Sequence, residues 1–124
     1  MNNTNWISYK DIQSESMPGV TFRISRMSLA RRIDLVVRLR DLSRKIEFLQ
    51  AGDSEMEQVD GNMLQRQIQL IYLEWGLLEV RGLLIDNEDA TPALLIACGP
   101  DQLCEEIGNA VHDELALQAA ELKN

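Results

Sequence analysis

Aromatic side chains are scarce in this sequence, at 5% of 124 residues. A core must therefore come from Leu, Ile, Val, Met and Ala, which favours packed helices over an aromatic-rich β-sandwich. Cysteine is scarcer still, with Cys98 and Cys104 alone. Two thiols are too few for a disulfide framework, so both are expected to remain reduced and unbridged. No run approaches the roughly 18 apolar residues that span a bilayer. The opening MNNTNWISYKDIQ also lacks the charged-then-apolar layout of a secretory leader. A cytoplasmic chain away from membranes is the expectation. Gly76 and Gly82 fit neither a GxGxxG nor a Walker spacing, so no phosphate cradle is expected.

What is present fits one globular domain. Hydrophobic residues at 45% and charged residues at 26% exclude wholesale disorder. The net charge of −8 is unevenly spread: residues 1–45 carry nine Lys or Arg against four carboxylates, and residues 46–124 carry three against sixteen. A bipolar chain of this kind suits a nucleic-acid face or head-to-tail contacts between copies.

Residues 1–18 are polar and show no sustained period, which predicts a flexible N-terminal arm pinned by Trp6, Ile7 and Tyr9. Residues 19–124 read as a single helical domain. Val20, Phe22 and Ile24 alternate with polar residues, the signature of a short strand. Ser28 is placed to cap a helix running from Leu29 to Ala51, with Gly52 as its stop. Leu35, Leu39, Leu42, Ile46 and Leu49 step by four and three along it. A second helix, roughly Glu57 to Val80, repeats the pattern with Leu64, Ile68, Ile71, Trp75 and Leu78. The short join predicts an antiparallel hairpin with the two stripes facing. Val80–Ile85 suits a strand, with Asp86 to Asp89 as a polar turn, and pairs either in a tiny hairpin or with Val20–Ile24. Thr91-Pro92 opens a short helix stopped by Gly99, and Pro100-Asp101 opens another through Leu103, Ile107, Val111 and Leu115. The fold class is mainly α within α+β: a long helical hairpin, a short N-terminal strand, a small β element near 80–90 and two C-terminal helices.

Cys98, Cys104 and His112 raise the possibility of zinc. The thiols are six apart rather than in a CxxC knuckle, and a fourth ligand would have to come from Asp101 or Glu105, so they read as small hydrophobes. His112-Asp113-Glu114 resembles a charge relay in writing only, because consecutive helical residues splay about 100° apart. The carboxylate pairs Glu105-Glu106 and Asp86/Glu88/Asp89 read as a solvated face. No catalytic residue, metal or cofactor is expected.

The basic run has more force. Arg31, Arg38 and Lys45 are spaced by seven and share a helix face that could follow phosphates, which makes a small DNA- or RNA-binding regulator the alternative reading. Asp34 and Asp41 lie three or four residues from Arg38 and temper that face. A two-helix hairpin also leaves Val36, Val37, Phe48, Leu70 and Leu77 in need of cover, so self-association is expected. Arg31, Arg38 and Lys45, with Leu70, Leu77 and Leu78 on the second helix, are the candidate partner-binding residues.

The series PGVTFRISRMSLARRIDLVVRLRDLSRKIEFLQAG, then IYLEWGLLEVRGLLIDNEDATPALLIACGPDQLCEEI, and the LKN ending together resemble the tail assembly chaperones of bacteriophages and prophages. The resemblance spans about residues 18–124. It implies a non-enzymatic helical protein of the host bacterial cytoplasm, often oligomeric, that binds the tape measure protein and keeps it soluble while tail-tube subunits polymerise. A frameshifted product in that family often carries an extra domain, of which this sequence shows no trace.

Overall fold

The computed structural model describes residues 3–51 and 55–123, with side chains described for 3–49, 51 and 60–115. Five short strands and four helices follow in the order β1 (Tyr9–Gln13), β2 (Thr21–Ser25), α1 (Leu29–Gln50), α2 (Glu55–Gly76), β3 (Leu77–Arg81), β4 (Leu84–Ile85), β5 (Glu88–Asp89), α3 (Pro92–Cys98) and α4 (Asp101–Lys123). The mainly helical α+β class is as the sequence indicates.

Alternation in β2 sends Phe22 and Ile24 inward and Arg23 outward, and this strand is the middle of an antiparallel sheet ordered β1-β2-β3. On the outer face Arg23 bonds Asp11 through Nε at 2.8 Å and reaches Glu79 at 3.7 Å, while its guanidinium lies 3.8 Å over the Tyr9 ring. Hydrogen bonding from Arg23 holds the Asp11 carboxyl below its ordinary pKa.

Two expectations need correction. Within the segment read as a flexible arm, Tyr9–Gln13 form an edge strand whose Ile12 sits opposite Phe22. A single half-buried side chain in five is too little alternation to detect by period. Trp6 is held as well, with the Arg26 guanidinium 4.1 Å above its ring.

The second correction concerns the end of α2, which stops at Gly76 rather than Val80 and passes straight into β3. A Cβ at Gly76 would stand 2.7 Å from a Val111 methyl, so the bare glycine lets α4 pack against this junction. Ile24 pairs with Leu77 and Arg23 with Glu79, leaving Leu78 as the extra residue of a bulge. That bulge puts Leu77 and Val80, three residues apart, on the same buried side. The last step of the second heptad stripe is thus a strand residue facing solvent.

Other local readings match. Ser28 accepts the Arg31 N–H, and Thr91 accepts the Leu94 N–H with Pro92 in the first turn of α3. The proposed stop at Gly52 lies outside the described residues. Asp86 and Asn87 form the two-residue turn of the β4–β5 hairpin with φ of 52° and 67°, a left-handed pair suited to strand twist. Both alternatives for the β element are realised, because β3 pairs with β2 and β4 pairs with β5.

The helices α1 and α2 run antiparallel: Arg31, in the first turn of α1, donates to the Trp75 carbonyl in the last turn of α2 at 2.7 Å. Leu35, Leu39 and Ile46 are buried, with Leu42 and Leu49 half-buried beside them. The main core joins Leu35 and Leu39 to Phe22, Ile24, Leu73, Trp75 and the α4 stripe Leu103, Ile107 and Val111. Burying aliphatic side chains of this kind stabilises by about 1.5–3 kcal/mol each.

One carboxylate ties the sheet to α4. Glu106 accepts from the Ser14 hydroxyl at 2.6 Å, the Ser16 hydroxyl at 2.8 Å and the Glu15 backbone N–H at 2.7 Å, so it holds the β1–β2 turn. Burial pushes its pKa up, but the bonds from Ser14, Glu15 and Ser16 outweigh that and bring it below 4.5. A depressed pKa stabilises the fold above the unfolded value and is lost as pH falls through the folded one. Stability is therefore expected to decline as pH drops below about 4.5, and a Glu106→Gln variant to show a flatter decline there. Glu106→Ala should cost about 1–3 kcal/mol at neutral pH. Urea titrations across pH check both, and parallel pH curves for wild type and Glu106→Gln would contradict the assignment.

Candidate functional site

The helix α1 is apolar on two sides. With about 100° per residue, Ile33 and Val37 lie nearly opposite the Leu35–Leu39–Ile46 stripe turned to the core, and Leu29 and Val36 lie on the flank between the two. Those four stand in solvent, Leu29 at 78% and Ile33 at 57% exposure. They form a continuous aliphatic patch on the first two and a half turns. Isolated exposed hydrophobes are ordinary, but four on one helix face are what an interaction surface requires. Farther along the same side come Arg40, Arg44 and Phe48, all exposed.

The residues singled out from sequence are divided by the fold. Arg31 is half-buried, with its guanidinium 4.2 Å over the Trp75 ring in addition to its bond to the Trp75 carbonyl. Arg38 is exposed and pairs with Asp34 at 3.0 Å within the helix. Lys45 is exposed. An open three-cation stripe is therefore not what α1 presents, since its first member is committed inward. On the second set, Leu77 is 5% exposed in the core and is withdrawn as a surface residue. Leu70 and Leu78 are exposed, Leu70 on α2 and Leu78 on the β3 bulge. The reason is the early end of α2, which turns a helical face into an alternating one.

Between α2 and α4 lies an open groove of about 320 Å³, lined by the amides of Gln65, Gln69 and Asn109 together with Glu105, Tyr72 and His112. The rings of Tyr72 and His112 meet edge-on at 5.9 Å. Burial raises the Tyr72 pKa, so its phenol remains protonated at neutral pH. His112 Nδ1 lies 3.7 Å from the exposed carboxylate of Asp113. Such a groove offers amide, carboxylate and imidazole groups for hydrogen bonding.

Cys104 points its Sγ toward the Leu95 carbonyl at 3.8 Å, and burial followed by the nearby Asp101 charge pushes its pKa up. A thiol in that state is a packing residue and not a reactive thiolate. Among the described residues no three His, Cys, Asp or Glu side chains stand together as a metal site. Among the described residues no helix is long and apolar enough to cross a membrane.

Two carboxylates depart from the sequence reading, and Glu106 is not part of the solvated face expected of the Glu105-Glu106 pair, because the β1–β2 turn donates three hydrogen bonds to it. Glu106 is a structural clasp, and Glu114 is buried at 6% exposure with Arg26 at 3.5 Å. For Glu114 the only signal was its position three residues after Val111 on the buried side of α4. The outer patch of α1 was half visible, in Val36, Val37 and Phe48; Leu29 and Ile33 complete it. Comparison with protein-family models, with curated proteins and with solved structures finds no match to this chain.

Proposed function

We propose that this protein is a phage or prophage tail assembly chaperone, which binds the tape measure protein in the host cytoplasm and shields it while the tail tube forms. The reading rests on the sequence resemblance, and the single structural observation that supports it is the aliphatic patch of Leu29, Ile33, Val36 and Val37 exposed on the solvent side of α1. A client helix with an apolar stripe can lay four or five side chains along such a face. Covering the exposed part of each aliphatic side chain contributes about 1 kcal/mol, which gives reversible rather than permanent shielding. The function is protein binding, without a catalytic step.

The test is co-expression with a phage tape measure protein. Wild type is expected to co-purify with it and raise its soluble yield. Ile33→Asp/Val37→Asp should reduce capture at least tenfold, corresponding to about 1.4 kcal/mol or more, with an unchanged melting temperature because both sites are exposed. Failure of wild type to retain any tail component would overturn the reading. Sub-micromolar binding to duplex DNA that weakens steeply with salt would instead support a nucleic-acid regulator.

A further inference from the structure

The outer side of α1 changes character beyond Val37. Arg40, Arg44 and Phe48 follow at intervals of four, which places two guanidinium groups and a ring on one ridge. Phe48 is 77% exposed. The β4–β5 hairpin carries the complementary chemistry. Leu84, 62% exposed, pairs in register with Asp89, and Glu88 stands one step nearer the turn. This hairpin is well anchored, with Ile85 buried beside its turn and, at its base, the Ala90 N–H donating to the Leu83 carbonyl at 3.0 Å. Among the described residues, none of Arg40, Arg44, Glu88 and Asp89 takes part in a salt bridge.

We propose that the Arg40–Arg44–Phe48 ridge of one molecule receives the β4–β5 hairpin of a second copy, with Glu88 and Asp89 meeting the guanidinium groups and Leu84 covering Phe48. A symmetric contact of two ridges is disfavoured, because it sets the arginines of one copy against those of the other. Ridge and hairpin are different surfaces, so the contact is head-to-tail: each molecule offers one of each, and assembly proceeds to a ring or an open chain. A docking area of this size belongs to the weak, transient class, below about 1,200 Å² in total. Exposed ion pairs are screened beyond about 10 Å at 0.1 M salt, so the association is salt-sensitive.

Analytical ultracentrifugation of the purified full chain tests this without any client, so its outcome is separate from that of the proposed function. Wild type should self-associate at high concentration and do so about tenfold more weakly when salt is raised from roughly 0.05 to 0.5 M. Arg40→Glu/Arg44→Glu should be monomeric alone, and so should Glu88→Arg/Asp89→Arg. Mixing the two variants should restore association, since each supplies the complement the other lacks, and one chain carrying all four changes should self-associate again. Circular dichroism melts matching wild type establish that the exposed changes leave the fold intact. A wild type that stays monomeric, a hairpin variant that associates like wild type, or a mixture that remains monomeric would each overturn the proposal.

Discussion

Phe22→Ala is expected to destabilise the fold by about 3–5 kcal/mol, a large part of the 5–15 kcal/mol that holds a domain of ordinary stability. Phe22 is 1% exposed at the centre of the middle strand, opposite Ile12 on one side and Val80 on the other. Its ring lies in the same core as Leu35 of α1 and Leu103 and Ile107 of α4. Truncation removes packing against both neighbouring strands and the helices. Urea denaturation should show a lower midpoint with little change in slope, because the surface exposed on unfolding is nearly the same. A loss below about 1 kcal/mol would mean that the site repacks and that the sheet is not the centre of the core.

Gly82→Ala should be the other severe substitution, at about 2–4 kcal/mol, from a left-handed backbone penalty of roughly 1–2 kcal/mol and a steric clash added to it. Gly82 has φ of +80°, and a Cβ there would lie 2.3 Å from the Gly19 carbonyl oxygen. The oxygen belongs to backbone and the Cβ position is fixed by it, so neither can swing aside as a side-chain tip would. Gly19→Ala is the control. Its φ is +92°, but a Cβ there meets nothing within 4 Å. That variant should lose only the backbone penalty, and the difference between the two melting temperatures isolates the clash. Equal losses would show that close approach of the two turns does not contribute.

Helix starts and periodic stripes were the most legible parts of this fold. Ser28 and Thr91-Pro92 announce helices because capping is local, and Leu103–Ile107–Val111 announce a buried face because their spacing repeats. The α2–β3 boundary was not legible, since Tyr72 to Val80 suits helix or strand equally by composition. Pairing with β2 decided it, and pairing is a tertiary fact. Strand β1 was hidden for the same reason: Tyr9–Gln13 has a ladder partner but almost no buried row. At the surface, spacing placed Arg31 beside Arg38, yet it carried no information that Trp75 would come within reach and draw the first of them inward. The outer aliphatic patch was obscured by its own helix, because apolar residues spread beyond the core stripe blur the one-sided pattern that marks an amphipathic helix.

The direct passage from Gly76 into Leu77 fixes the length of the chain at that point, whatever happens to its chemistry. With no spacer between helix and strand, adding one residue would reverse which side of β3 Leu77 and Val80 present, and would also rotate α2 by about 100° against its neighbours. Side chains around this seam can drift while their size is kept, whereas insertions and deletions cannot be absorbed there. Distant relatives of this protein should therefore vary in spelling across residues 70–81 and agree in the number of letters.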